Sequence, residues 1–138
     1  MNSCYSQLVF REGLLNDSQA LQFARKHMET WNSHDLDSII ALYSDSIELI
    51  SPLAASIRGH ACVRGKKDLR EYFAEGLKKF TDLRFEIVNT YRCESCVTIV
   101  YRAPKGGLVA EVLFIGGDGK IEKVFAHYVC GLIDKNAS

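Results

Sequence analysis

Glu111 lies where the sequence pattern predicts apolar surroundings. It belongs to the segment 108–115, in which it shares one face of a predicted strand with aliphatic side chains. A carboxyl group in such a place loses hydration, which favours the protonated form and raises its pKa. Perturbed acids of this kind are candidates for proton transfer. The structural alternative is an ion pair with Arg102 or Lys123 on a neighbouring strand.

His27 is the second candidate for chemistry. It falls inside the apolar stripe of the first predicted helix, between Ala24 and Trp31. An imidazole there either bonds to a backbone carbonyl or faces a cavity. Because a helix stripe and an inward sheet face pack against each other, we expect His27 and Glu111 to face one shared apolar pocket.

Two further groups of residues are weaker candidates. His60 lies in a segment without periodicity, from which it either reaches the pocket or points into solvent. Cys93 and Cys96 have zinc-knuckle spacing, but no second Cys/His pair accompanies them. The sequence contains no P-loop, dinucleotide fingerprint or nucleophile elbow. No metal and no organic cofactor is therefore expected.

Three helices are predicted to position these side chains. Apolar residues recur every three to four positions in three segments. The first helix begins with Asp17 or Ser18 as its N-cap, the second begins at Asp35 and includes Tyr43, and the third begins at Asp68.

Strands make up most of the second half of the chain. A short strand over 47–51 precedes Pro52, and residues 53–65 are interpreted as an irregular loop with room for a short strand. Period-two alternation and Gly-rich turns then predict four consecutive antiparallel strands, over 83–92, 96–102, 108–115 and 121–132. Helices segregated from such a meander indicate an α+β fold.

Length and composition set limits on organisation and partners. A chain of 138 residues with 47% hydrophobic residues fits one globular domain, predicted over 17–133 between an N-terminal arm (1–16) and a tail (134–138). The formal net charge is +0, so neither nucleic acid nor a membrane is an expected partner. The five cysteines lack the spacing of a secreted framework and no signal peptide is apparent, which favours the cytoplasm.

The strands over 108–115 and 121–132 are apolar on both faces. Three helices can cover only one face of a sheet. A second copy of the chain is the economical cover for the other face, and we therefore expect a homodimer formed through the sheet.

Several phrases of the sequence resemble the nuclear transport factor 2-like superfamily, which includes ketosteroid isomerases and SnoaL-like polyketide cyclases. The run from Trp31 to Pro52 has the Asn-x-His-Asp-Leu-Asp turn and the Tyr-x-Asp phrase that open such domains. The stretches 65–73 and 116–121 look like the family's third helix and final hairpin. The resemblance implies a cystatin-like cone, in which three N-terminal helices pack on a strongly curved, mostly antiparallel sheet.

The resemblance also implies roles for three residues. His27 falls where ketosteroid isomerases have a tyrosine hydrogen-bond donor, and Glu111 falls where they have a protonated acid. Ser51 stands where those enzymes carry their aspartate base, and a serine hydroxyl cannot shuttle a proton unaided near neutral pH. Steroid isomerisation by the family's own mechanism is therefore not expected.

Three functions remain open from the sequence. One is an enzyme of the isomerase, cyclase or hydratase type, in which His27, Glu111 and Ser51 act on an apolar, carbonyl-containing substrate. The others are a non-catalytic ligand-binding protein and a dimeric interaction domain with a vestigial cavity. The residues expected to contact the ligand are Trp31, Tyr43, Leu49, His60, Val97, Ile99, Tyr101, Leu113 and Tyr128.

Overall fold

The computed structural model describes residues 15–131, so most of the predicted N-terminal arm and the predicted tail lie outside the described residues. This described part of the chain contains four α-helices, which we label α1 (Asp17–Asn32), α2 (Leu36–Ile40), α3 (Pro52–Arg58) and α4 (Gly65–Lys79), and a short 3-10 helix (Pro104–Gly106). The six strands are β1 (Tyr43–Ile50), β2 (Cys62–Arg64), β3 (Glu86–Arg92), β4 (Cys96–Arg102), β5 (Leu108–Ile115) and β6 (Ile121–Tyr128).

The strands form one mixed sheet in the order β2-β1-β6-β5-β4-β3. The four strands β3 to β6 are antiparallel neighbours, as the alternation predicts. In contrast, β1 pairs with β6 in parallel. Register shifts interrupt three of the pairings, and such bulges bend strands and increase their twist. The predicted α+β fold, with helices against a curved sheet, is confirmed.

The first helix begins one residue earlier than predicted. Its N-cap is Asn16, whose side-chain oxygen accepts a hydrogen bond from the backbone N–H of Gln19 at 2.8 Å. The Gln19 side chain in turn accepts from the N–H of Asn16 at 2.9 Å, which completes a capping box. Asp17 instead forms an ion pair with Arg92 on β3.

The interpretation of residues 53–65 as a loop is wrong for much of the segment. Ser51 caps α3 by accepting a hydrogen bond from the N–H of Leu53 at 3.1 Å, and Pro52 occupies the first helical position. Proline suits that position because it lacks the N–H that would have no partner there. Gly59, with φ of 85°, ends the helix. Residues 15–131 therefore contain four α-helices rather than the three predicted.

Other element boundaries also differ from the predictions. Helix α2 ends at Ile40, and Tyr43 is the first residue of β1 rather than a helical residue. Helix α4 begins at Gly65, three residues before Asp68. Strand β3 begins at Glu86 rather than residue 83, and β6 ends at Tyr128 rather than residue 132. Propensity alone places element ends poorly because tertiary pairing decides where a strand stops.

The inner face of the sheet supplies the core. One row of paired residues crosses four strands and is almost completely buried: Leu49, Val124, Leu113 and Val97. The next two rows of the inner face contain polar side chains. One row includes Glu111 and Ala126, and the other includes Tyr101 and Tyr128. No helix in the part of the chain that the structure describes is long and apolar enough to cross a membrane.

Candidate active site

A cavity of about 180 Å³ lies between the inner face of the sheet and the helices. Its walls are mostly aliphatic and aromatic, and its polar side-chain groups are one carboxyl, three phenols, one serine hydroxyl and one indole N–H. The residues that line it are Trp31, Leu49, Ser51, Leu53, Ile57, Tyr72, Phe73, Gly76, Phe80, Leu83, Phe85, Tyr101, Ala103, Pro104, Val109, Glu111, Ala126 and Tyr128.

The sheet register places Ser51 and Glu111 on opposite sides of Ala126. Glu111 is paired with Ala126 across β5 and β6, while Ser51 follows the residue of β1 that pairs with Phe125. Neighbouring strands are about 4.8 Å apart, so the two polar residues are separated by roughly 10 Å. Since alanine is small, the space above it stays open between them.

Glu111 is the described cavity residue whose pKa is shifted close to neutral pH. Loss of hydration raises the pKa of its carboxyl group from 4.5 to about 7, and a hydrogen bond with Tyr101 partly opposes the rise. Lys123, considered above as a structural partner, instead lies 3.6 Å from Glu48. None of the described residues that line the cavity is lysine, arginine or histidine. The Glu111 carboxyl therefore titrates near neutral pH without a cation against it.

A group of three hydroxyls forms the other polar part of the cavity. The hydroxyl of Ser51 interacts with those of Tyr72 and Tyr128, which lowers the pKa of both phenols. Burial has the larger, opposite effect, and it raises the pKa of Tyr72 to about 12. The phenols therefore stay protonated and can donate hydrogen bonds. Because the Ser51 oxygen accepts from Leu53, the serine proton also remains available.

The structure places His27 in the core rather than in the cavity lining. Its side chain is 1% exposed and lies between two rings, stacked on Phe23 at 6.0 Å and edge-on to Tyr43 at 6.2 Å. Neither ring nitrogen has a hydrogen-bond partner among the described residues. Burial lowers the pKa of the imidazole from 6.5 to about 4, so it is neutral at physiological pH.

The predicted ligand contacts divide into two groups. The cavity is lined by four of them, namely Trp31, Leu49, Tyr101 and Tyr128. Four others are packed in the hydrophobic core outside the lining, namely Tyr43, Val97, Ile99 and Leu113. His60 is exposed, and its Nδ1 lies 3.2 Å from the carbonyl oxygen of Cys62. An inward-facing pattern identifies buried residues, but it does not say which of them border a void.

Two residues that matter for the cavity were not singled out from the sequence. Tyr72 lies on the buried side of α4, and its position there alone does not show that it borders a cavity. Ala126 was overlooked because a small side chain carries no chemical signal of its own. The Ser51-Pro52 pair, a helix-start signal, would have indicated the α3 wall of the cavity.

Comparisons with solved structures identify several similar chains. A SnoaL-like protein of unknown function from Burkholderia thailandensis E264 is 37% identical with a TM-score of 0.81, and the match covers 84% of this chain and 98% of that one. A putative isomerase of the SnoaL-like family from Agrobacterium tumefaciens str. C58 has 16% identity and a TM-score of 0.66, with 81% and 98% covered.

A third similar structure is the epoxide hydrolase/cyclase-like enzyme SalBIII, which acts in pyran ring formation in the polyether salinomycin. It is 16% identical with a TM-score of 0.66, and the match covers 83% of this chain and 94% of that one. At this identity, the second and third matches establish the fold alone. No protein with a curated description matches the chain significantly.

A family profile agrees with these structural matches. The profile described as a SnoaL-like domain matches residues 24–121, which is more than half of the chain. The matched range extends from α1 to the first residue of β6 and contains Ser51, Tyr72, Tyr101 and Glu111. Together with the 37% identical relative, this match establishes that the chain belongs to the SnoaL-like domain family, within the nuclear transport factor 2-like superfamily.

Proposed function

We propose that this protein is a small-molecule enzyme of the isomerase, cyclase or hydratase type that acts by proton transfer on a largely apolar, carbonyl-containing substrate. The proposal rests on the Glu111 carboxyl, which lies in an apolar cavity and has a pKa of about 7. A group that titrates near the working pH is well suited to give and to accept a proton. The isomerase and cyclase-like names of two structural relatives are consistent with this chemistry.

Glu111 is the acid in this mechanism. Its protonated form donates to the substrate oxygen and stabilises the negative charge that develops there. In a ring closure, the attacking hydroxyl of the substrate returns a proton to the carboxylate, and Glu111 is regenerated. Such a reaction needs no second titrating residue. This suits a chain with Ser51 at the position of the family's aspartate base.

Neutral donors orient the substrate. Tyr101 interacts with the carboxyl of Glu111 and holds it towards the cavity. The hydroxyls of Ser51 and Tyr128 interact with each other and can bind a second oxygen of the substrate. Aliphatic and aromatic walls exclude water, which strengthens each of these hydrogen bonds.

We propose an indirect role for His27. The imidazole contacts Tyr43, and the charge of Glu111 is one of the causes that raise the pKa of Tyr43, after burial. Tyr43 also accepts a hydrogen bond from the indole of Trp31, a cavity residue, at 3.3 Å. His27 thus positions the site through Tyr43 instead of exchanging protons with the substrate.

A non-catalytic ligand-binding protein is the second candidate function. The replacement of the family's aspartate by Ser51 favours it, because the cavity could then bind an apolar ligand without transforming it. In that case Glu111 and the phenols would only fix the polar end of the ligand.

One experiment separates the two functions. Apolar ketones, enones and lactones are screened by thermal shift, and each ligand that raises the melting temperature is then tested for turnover. Glu111→Gln is expected to abolish turnover while ligands still bind, and Glu71→Gln on the exposed side of α4 is the matched control. Binding without turnover in the unmodified protein would instead support the ligand-binding function.

We further propose that the protein forms a homodimer through the outer face of its sheet, in the cytoplasm. Phe114 is 37% exposed on this face and packs edge-on to Phe125. Val112 and Ala110 on β5 are only partly buried beside them. An apolar face of this kind is stabilised by an identical face related by two-fold symmetry.

A further inference from the structure

We propose that Cys93 and Cys96 form a thiol-modification site that peroxide converts reversibly into an intramolecular disulfide. The two residues flank the turn Glu94-Ser95 that joins β3 to β4. Neither of them lines the cavity. The inference is therefore independent of the proposed enzymatic function.

The backbone already holds the two cysteines as a cross-strand pair. The N–H of Cys93 donates to the carbonyl oxygen of Cys96 at 2.7 Å. The register of β3 and β4, in which Arg92 pairs with Val97, continues into this pair. In hydrogen-bonded antiparallel pairs the Cα atoms are about 5.5 Å apart, which lies inside the range of roughly 4.4–6.8 Å that a disulfide requires.

Both thiols project from the same face of the hairpin. Side chains alternate along a strand, so Cys93 and Cys96 point away from the side on which Val97 is buried and Arg92 pairs with α1. The two sulfurs therefore lie on the same side of the hairpin.

The environments of the two thiols differ. Cys93 is exposed, while Cys96 is partly buried. Burial, followed by the charge of Cys93, raises the pKa of Cys96 to about 11. The influence of one sulfur on the other is a second sign that they are neighbours. Cys93 is therefore the thiol that meets the oxidant, and Cys96 resolves the product.

The reaction balances with hydrogen peroxide as the oxidant. The Cys93 thiolate attacks one peroxide oxygen, the O–O bond breaks, and Cys93 sulfenic acid and hydroxide form. The Cys96 sulfur then attacks the Cys93 sulfur, the S–O bond breaks, and the second hydroxide leaves. Protons from the two thiols convert both hydroxides to water. The two cysteines lose two electrons in total, and a dithiol reductant such as dithiothreitol reverses the change.

The disulfide would close a turn that connects three parts of the fold. The carbonyl oxygen of Glu94 accepts from the N–H of Leu15 at 3.3 Å, just before α1. The carbonyl oxygen of Ser95 accepts from the N–H of Ile115 at 2.9 Å, at the end of β5. Oxidation therefore fixes the turn against which the start of α1 and the end of β5 are held.

Mass spectrometry of the full chain tests the proposal. The reduced protein is treated with graded hydrogen peroxide, alkylated with iodoacetamide and digested with trypsin. Cleavage after Arg92 and Arg102 gives one peptide, 93–102, that contains both thiols and no other cysteine. After peroxide treatment we expect this peptide to carry no alkyl group and to be two hydrogen atoms lighter than its reduced, unalkylated form. This should occur at peroxide doses that leave the exposed Cys130 alkylated.

Single substitutions distinguish the two roles. In Cys96→Ser, Cys93 should accumulate as a sulfenic acid that dimedone traps, at least tenfold above the unmodified protein. In Cys93→Ser, Cys96 should remain alkylatable. Retention of both alkyl groups in peptide 93–102 at every dose at which Cys130 is oxidised would overturn the inference. A chain-to-chain disulfide through either residue on a non-reducing gel would overturn it as well.

Discussion

Tyr101 and Glu111 are diagonal neighbours on β4 and β5, and the phenol interacts with the carboxyl at the sheet side of the cavity. Two effects on the pKa of Glu111 compete there. Burial disfavours the carboxylate, and the hydrogen bond with Tyr101 favours it. Burial is the larger effect, so the pKa is about 7 instead of 4.5.

The dependence of kcat/KM on pH should report this carboxyl group. If protonated Glu111 is the acid, kcat/KM should fall about tenfold per pH unit above pH 7. Tyr101→Phe removes the opposing hydrogen bond and should move the descending limb to higher pH. Initial rates between pH 5 and 9 on a neutral substrate measure the descending limb of the profile for both proteins. A flat profile for the unmodified protein would exclude Glu111 as the acid.

Glu111 and His27 should give opposite dependences of folding stability on pH. The folded-state pKa of Glu111 is raised from 4.5 to about 7, so its contribution is fully present below pH 4.5 and is lost as the pH rises to 7. The folded-state pKa of His27 is lowered from 6.5 to about 4, so stability is lost as the pH falls between these values. Each shift corresponds to about 3 kcal/mol.

Substitutions separate the two contributions. Between pH 4.5 and 6.5 the effects nearly cancel in the unmodified protein. Glu111→Gln should become steadily more stable as the pH rises through that window, and His27→Leu steadily less stable. Urea unfolding at several pH values measures the free energies. Parallel curves for the two variants would contradict the assignment of either pKa.

Ala126→Leu should close the cavity. The larger side chain would occupy the space between Ser51 and Glu111, so ligand-induced thermal shifts should disappear. The free energy of unfolding should change by no more than about 1–3 kcal/mol, the usual cost of overpacking. Ala126→Ser adds a single oxygen and serves as the control. Undiminished ligand binding in Ala126→Leu would place the binding site elsewhere.

Ser51 should contribute both to stability and to the cavity. Ser51→Ala removes the cap of α3 and should cost about 1 kcal/mol in the free energy of unfolding. Ser51→Asp retains a capping oxygen, but its carboxylate, at a position that is 1% exposed, should lower the stability at neutral pH. The carboxylate would also disfavour charge on Glu111 and shift the kcat/KM profile to higher pH. If Ser51→Ala were as stable as the unmodified protein, the capping role would be refuted.

Phe114→Lys should disrupt the proposed dimer. A lysine at this position of the outer face would bring like charges together in a two-fold symmetric interface. Sedimentation should then report a monomer. Leu21→Lys, which changes an apolar residue 51% exposed on α1, is the matched control and should remain dimeric. A monomeric unmodified protein would disprove the dimer without affecting the cavity.

The inward orientation of residue 111 can be derived from the sequence because a strand has only two faces. Alternation along β5 leaves a single choice for each side chain, and the choice for residue 111 is inward. The same reasoning was insufficient for His27. A helix stripe shows that a residue is buried, but its neighbours in the core come from distant segments, here Tyr43 of β1.

The missed helix α3 has a different cause. Pro52 is a strand-stop signal in the sequence, but the strand ends at Ile50 and Pro52 is the first residue of a helix. The seven-residue segment is too short for helical periodicity to be recognised. The cavity exists because no side chain fills the space above Ala126. A pattern of residue types does not show directly where such a space will remain.

The parallel pairing of β1 with β6 has a consequence for the order in which the site can be assembled. Ser51 follows β1, and Glu111 lies on β5. In the described sheet these two strands are joined by β6, which lies between them and comes last in the sequence. During synthesis, the two ends of the cavity therefore stay unconnected until residues 121–128 have left the ribosome. Ser51 and Glu111 are brought into register only when β6 pairs with both neighbouring strands, so a chain truncated before Ile121 would lack the strand that aligns them.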